Sequence, residues 1–210
     1  MAAMGILVPV FAVFIPALLL PGPDFVAVVR SSMTRGTTAG LQTTVGVSIG
    51  LAFYATLSLL GLSAVLVQYQ WLTWAVRLLG GAYLIYLGIR LLRSKPAATD
   101  NDVAQGPVRG NALLFGFLVT LTNPKAIVLF ASVFATAVTG STPGWLMMLM
   151  IGLVVASALV WYSIVALFMS SAPVVRRFQH ARHWIERVAG ASFLLIGGRI
   201  IADARTPVAP

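Results

Sequence analysis

The sequence predicts an all-α membrane protein: six transmembrane helices, built as two inverted three-helix repeats, with helices 1 and 4 broken. Three observations carry this. The chain is far more apolar than a soluble domain. Its apolar runs are separated by loops that are alternately basic and free of charge. Two proline motifs, Pro21-Gly22-Pro23-Asp24 and Asn123-Pro124-Lys125, interrupt runs that would otherwise be continuous. Of 210 residues, 59% are hydrophobic and 9% charged, with a mean hydropathy of +0.95, whereas soluble domains average about 25% charged residues. At about 20 residues per span, this length holds about six helices and no sizeable domain outside the bilayer.

The first helix, 5–29, contains the Pro21–Pro23 interruption and ends at Arg30 and Arg35. No Lys or Arg precedes Arg30, so the run lacks the basic start of a signal peptide and reads as a retained span. The second helix, 40–67, follows Gly36 and Gly40 and carries Gly46 and Gly50 at GxxxG spacing. That pattern suits close helix packing within or between protomers, and hence a homo-oligomer, or a sliding surface. The third, 71–93, starts with Trp71 and Trp74 and ends with Arg90 and Arg93. Arg77 reads as a snorkelling anchor near the outer side, with an outer gate as the alternative. Ser94 to Arg109 is a polar loop holding Pro96 and Pro107, and it links residues 1–93, the first repeat, to 111–205, the second; the linker is 94–110. The fourth helix, 111–138, is interrupted at Pro124, and the fifth is 144–170. The sixth, 184–202, follows a basic stretch, Arg176 to Arg187, that reads as an interfacial amphipathic segment. Trp71, Trp74, Trp145 and Trp184 fit interface belts, while Trp161 and Tyr162 are mid-helix and fit either core or a cavity wall.

Loops one, three and five carry the Arg and Lys residues, whereas Gln68-Tyr69-Gln70 and 139–143 carry none. The positive-inside rule then puts the basic loops in the cytoplasm and both termini outside. The net charge of +9 reflects those loops facing anionic lipid rather than nucleic acid. Gly81-Ala82, Gly88 and Arg90 recur as Gly190-Ala191, Gly197 and Arg199, and Pro23-Asp24 corresponds to Pro124-Lys125. Helix 1 thus matches helix 4 and helix 3 matches helix 6. With three helices per repeat the second must be inverted, which is a transporter architecture with its site at the repeat interface. Coincidence among Gly- and Ala-rich helices is the alternative.

Each proline lacks an N–H, so Pro21 and Pro23 free the carbonyls of Ala17 and Leu19, and Pro124 frees that of Thr120. In a bilayer such groups face protein or a water-filled cavity. One break carries an acid and the other a base. Lys125 suits a substrate carboxylate, and Asp24 with the freed carbonyls suits an ammonium; Asp24 is alternatively the carrier of a coupling proton, and the pair is alternatively a structural ion pair. Thr120, Thr122 and Asn123 add polar groups that contact substrate or re-satisfy freed backbone. Together with Pro21, Gly22, Pro23 and Pro124, these are the candidate pathway residues.

Other chemistry is poorly represented. Cysteine is absent, which excludes disulfides and thiolate sites. There are five acidic residues, and only Asp24 is expected to be buried. His180, His183 and Glu186 share helical spacing, but Arg182 and Arg187 crowd them with positive charge. No HExxH, GxSxG or P-loop pattern occurs. No catalytic residue, metal site or cofactor is expected.

Pro-Gly-Pro-Asp at 21–24, Arg35-Gly36 with Ala39-Gly40-Leu41, the run Gly81 to Arg90, and Asn123-Pro124-Lys125-Ala126 stand in one order along the chain. In these residues it resembles the LysE/RhtB family of bacterial amino-acid exporters, over about 1–205. The resemblance implies ion-driven secondary export of amino acids or close derivatives across the inner membrane, with a proton as the expected coupling ion. A divalent-cation exporter or channel is a rival, although cations usually want several carboxylates. A membrane assembly factor that transports nothing is a second rival.

Overall fold

The computed structural model describes residues 2–62, 68–93, 110–134, 137, 142–168 and 172–203, and no strand occurs among them. The helices are α1 (Ala2–Leu19), α2 (Pro23–Arg35), α3 (Thr37–Thr56), α4 (Gln70–Leu92), α5 (Ala112–Leu121), α6 (Pro124–Leu129), α7 (Gly144–Phe168) and α8 (Ala172–Ala202). Helix α3 continues as a wider π-helical turn over Leu57–Leu62, and α6 does so over Phe130–Phe134. Among the described residues, four stretches are long and apolar enough to cross a membrane: Gly5–Arg35, Thr37–Gly61, Trp74–Arg93 and Gly144–Phe168. A fifth is the pair Ala112–Leu121 and Pro124–Phe134, bent by 53° at its break. Helix α8 carries Glu186, Arg187 and Arg199, and its composition is correspondingly more polar.

Two boundaries differ from the sequence reading. A loop was expected over 30–39, yet the first span runs to Arg35 and the next begins at Thr37. Gly36 makes the turn alone, with φ 85, a left-handed conformation that glycine adopts without a Cβ penalty. Its N–H bonds to the Ser32 carbonyl and its own carbonyl accepts from Gly40, so the turn leaves little backbone open. The segment 176–187 is part of one helix with 184–202. The side chains of His180 and His183 lie outside the described residues, as does the linker apart from Gly110.

The core lies where the two broken spans cross. Phe11 and Phe14 of α1 meet Phe130 and Phe134 edge-on, and Tyr54 stacks on Phe130 with centroids 6.1 Å apart. Around this core, α3 packs against α5 and α7, and α4 packs along α8. Glycine makes both contacts close. A Cβ on Gly46 would collide with the Leu113 carbonyl, and one on Gly116 with the Thr43 carbonyl, so the GxxxG surface packs within one chain. Helices α4 and α8 run antiparallel, with Gly81 against Gly197 and Gly88 against Gly190.

A Cβ on Gly88 would lie 2.8 Å from the Gly190 carbonyl oxygen, and that oxygen belongs to rigid backbone. Gly88→Val is therefore expected to cost about 2 kcal/mol or more. Nothing lies within 4 Å of a Cβ on Gly152, so Gly152→Ala should be neutral or slightly stabilising. Thermal unfolding of the two variants in detergent checks this contrast.

Candidate functional site

Both breaks restart in the same way. At the first, Gly22 is an extended cap and Pro23 opens α2. At the second, Asn123 is the cap and Pro124 opens α6. Proline suits the first helical position because its missing N–H would be unpaired there anyway. Asp24 and Lys125 consequently occupy the same place, the second residue of each restarted helix. A helix N-terminus favours the Asp and disfavours the Lys, so Lys125 needs acceptors from elsewhere.

The charges are satisfied crosswise. Asp24, only 3% exposed, takes its hydrogen bonds from the second break. Thr120 Oγ1 lies 3.0 Å from its Oδ1, and Asn123 Nδ2 donates to its Oδ2 at 2.9 Å. Lys125 takes its acceptors from the first break: its Nζ donates to the Ala17 carbonyl at 2.8 Å and to the Leu20 carbonyl at 3.4 Å. No ion pair joins Asp24 to Lys125 among the described residues. The freed Ala17 carbonyl, expected to hold an ammonium, already holds one, that of Lys125.

Asn123 fixes the geometry. Its Oδ1 accepts from the Lys125 backbone N–H at 3.0 Å, which turns its amide nitrogen toward Asp24. The Thr120 hydroxyl is also 3.2 Å from the Gly116 carbonyl. Its single proton can point to either acceptor. The Thr120 carbonyl freed by Pro124 accepts from Asn123 N–H at 3.0 Å. Thr122 stands apart: it is exposed and bonds back to the Leu118 and Val119 carbonyls of its own helix. Pro124 is exposed, while Pro21 and Pro23 border a cavity with Lys125. A Cβ on Gly22 would sit 3.0 Å from Lys125 Nζ, so glycine there leaves the ammonium its place.

Three further residues join the site: Tyr54, which the sequence reading does not single out, Tyr162, which it gives as core or cavity wall, and Glu186, which it gives only in a stripe with His180 and His183. Tyr54 donates to the Leu121 carbonyl at 2.7 Å, a group left open because the Lys125 N–H goes to Asn123. Tyr162 is fully buried and faces the same small void as Asp24 and Lys125. Glu186 is buried, at 6% exposure, which corrects the expectation that Asp24 is the only buried acid. The signal for the tyrosines was a phenol within an apolar run. Glu186 gave none, because its burial depends on the opposing helix.

The void between the breaks is about 20 Å³, room for one water. Larger cavities flank it. One of about 360 Å³ runs from Pro21, Pro23 and Lys125 to Arg90 and Glu186. The other, about 390 Å³, lies at the far end of α1 beside Arg77, Arg199 and Asp203. There Arg77 donates to the Asp203 carbonyl at 3.0 Å and Arg199 pairs with its carboxylate at 3.7 Å. Arg77 thus ties α4 to the end of α8 rather than only reaching for solvent.

A helical protein with paired broken spans, buried charges at the breaks and a cavity on each side has the form of a membrane transporter. Residues 15–204 match the LysE type translocator family, and the chain belongs to it. It is 32% identical over 196 residues to the threonine efflux protein of Escherichia coli K12, covering 90% of this chain and 94% of that one. The threonine efflux protein of Salmonella typhi is similar to the same extent. An uncharacterized membrane protein of Haemophilus influenzae is 33% identical over 188 residues, 86% of this chain and 88% of its own. No solved structure matches. The protein is a multi-pass membrane translocator and not an enzyme.

Proposed function

We propose that the protein is a secondary exporter of amino acids or close derivatives across the bacterial inner membrane, driven by an ion gradient. The observation that carries this is the crosswise satisfaction of Asp24 and Lys125. A free amino acid bears an ammonium and a carboxylate. The site already holds an internal ammonium on the Ala17 and Leu20 carbonyls and an internal carboxylate on Thr120 and Asn123. A zwitterion between the breaks exchanges these internal contacts for its own, its carboxylate toward Lys125 and its ammonium toward Asp24. Both buried charges keep a partner of opposite sign through that exchange, as a low-dielectric site requires.

Asp24 also fits the coupling proton, which supports a proton as the coupling ion. As a carboxylate it accepts from Thr120. As an acid it donates to Thr120 Oγ1 while the threonine proton turns to the Gly116 carbonyl. Both protonation states are thus accommodated without moving the backbone.

The antiparallel glycine contacts support the inverted repeat. Exchanging the matched residues, Gly81 for Gly190 and Gly88 for Gly197, turns the Gly81–Gly197 contact into Gly88–Gly190. With α8 counted as a span there are six, an even number, as two outside termini require. The 20 Å³ void then marks a closed state, which rocking of the repeats must open toward the flanking cavities.

The chain has no native cysteine, so topology is readily tested. Thr99→Cys is expected to be shielded from impermeant thiol reagents in intact cells, and Ser141→Cys to react. Reversed labelling would overturn the orientation. The functional reading is tested by export of a panel of intracellular amino acids from cells with and without the protein. No difference for any of them would remove it.

A further inference from the structure

We infer that the proton carried by Asp24 reaches the cytoplasm along the seam where α3 packs against α2 and α7, passed through water held by the hydroxyls of Ser48, Thr44 and Ser32. This rests on the proton reading of Asp24 above. The observation that carries it is a pair of orphaned hydroxyls. Ser32 and Ser48 are each 2% exposed, and neither hydroxyl has a hydrogen-bond partner among the described residues. A hydroxyl in a helix can bond back to the carbonyl one turn earlier. Thr34, Thr43 and Thr44 do so in the same two helices. Ser32 and Ser48 do not, and an unpaired buried hydroxyl is costly.

The seam leads from the site to the surface. Gly40, Thr44, Ser48 and Leu51 follow at helical spacing on α3 and share one face. At one end of that face, Leu51 borders the small void with Asp24 and Tyr162. At the other end, Gly40 lies beside the Ser32 hydroxyl; a Cβ there would collide with it and press on Ala166 of α7. Thr44 and Ser48 fall between these ends, and both are buried. Beyond Ser32 the burial stops, since Met33 to Gly36 are exposed. From Asp24 to Ser32 is about 12 Å of helix. By the charge rule the turn at Gly36, which follows Arg30 and Arg35, faces the cytoplasm.

The chemistry of the seam suits a proton. Neutral hydroxyls offer no counter-charge to a zwitterion or a metal cation. Each can accept one hydrogen bond while donating another, as a water chain that passes a proton needs. Water admitted from the exposed turn supplies the partners that Ser32 and Ser48 lack. Protonated Asp24 gives its proton to a water at Ser48, and the carboxylate left behind keeps Thr120 and Asn123 as donors. Each water then accepts one proton and releases another, so one hydronium leaves at the turn and the seam is unchanged. That is the inward half of an exchange in which the substrate moves out. Lys125 and Tyr162 are the titratable groups that share the void with Asp24. Tyr54 of α3 is tied to the Leu121 carbonyl, and at the exit Arg35 donates to the Gly110 carbonyl.

The test uses the purified protein in liposomes and two assays with L-threonine: accumulation driven by a pH gradient, and exchange of labelled for unlabelled threonine without one. Ser32→Ala combined with Ser48→Ala is expected to slow accumulation about tenfold, the effect of losing one hydrogen bond in a limiting step. Exchange should stay near the wild-type rate. Accumulation by this variant should also slow more in heavy water than wild-type accumulation does. Its thermal midpoint in detergent should be no lower than that of the wild type, because alanine removes two unpaired buried groups. Ser157→Ala on α7, whose hydroxyl bonds to its own helix, should match the wild type in both assays. Accumulation at the wild-type rate by the double variant would overturn the route while the proton role of Asp24 stands. Equal loss of accumulation and exchange would overturn it too, by assigning the hydroxyls to helix packing. A wild type that accumulates no threonine, or as much without the pH gradient, would overturn the proton reading and this route together.

Discussion

Lys125→Ala and Asp24→Ala are each expected to abolish export while leaving folded protein in the membrane. Without Lys125 the Ala17 and Leu20 carbonyls lose their donor, and the substrate carboxylate loses its counter-charge. Without Asp24 the Asn123 amide loses its acceptor, although Thr120 can still bond to Gly116. One unsatisfied buried group costs about 1–3 kcal/mol, which a packed helical protein tolerates. Unpairing a buried charge costs about 3 kcal/mol or more, which is about a hundredfold in rate if it falls on the transport step. The check is paired: membrane protein level by immunoblot and export rate in the same cells. Normal export by either variant would reduce the crossed contacts to a structural tie.

Replacing Pro21, Gly22 and Pro23 together with alanine is expected to give a protein at least as heat-stable as the wild type and inactive. Proline costs about 3 kcal/mol and glycine about 1 kcal/mol relative to alanine in a helix interior, so the substitution favours a continuous first helix. The span Gly5–Arg35 is not sharply bent, so joining α1 to α2 asks little of the packing. It does tie the Ala17 carbonyl into the helix and takes from Lys125 its nearest acceptor. Pro124→Ala should give a milder loss, because the Asn123 side chain still caps the Lys125 N–H. Thermal midpoints in detergent and export rates for both variants separate the cases. A triple-alanine protein that exports at the wild-type rate would show that the breaks are packing kinks.

The breaks were legible in the sequence because proline chemistry is local. Pro21 and Pro23 located the interruption, and the Ala17 carbonyl they predicted to be free is the one Lys125 occupies. The residues around Asp24 were legible as a group but not as partners. Thr120 and Thr122 both neighbour the break, yet two residues of helix rotate a side chain by about 200°, so only one of them faces Asp24. Which one depends on the packing of α5 against α2 and α3, which no local pattern encodes. Asp24 and Lys125 read as opposite charges that should meet, whereas the matched positions of the two breaks send each to the other's backbone and caps. Arg30 and Arg35 suggested a longer first loop, although a helix carries arginine readily and needs only Gly36 to turn. Glu186 shares a cavity with Arg90 on α4, and the sequence places those residues far apart.

The most direct measurement is amino-acid flux in liposomes containing the purified protein, with and without an imposed pH gradient, for wild type and Asp24→Asn. The wild type is expected to accumulate labelled L-threonine against its gradient only when the pH gradient is present. Asp24→Asn should exchange labelled for unlabelled threonine but accumulate none, because an amide can accept from Thr120 and cannot carry a proton. Accumulation by Asp24→Asn at the wild-type level would contradict the proton role of Asp24, and a wild-type protein that moves no amino acid under either condition would contradict the export mechanism at the paired breaks.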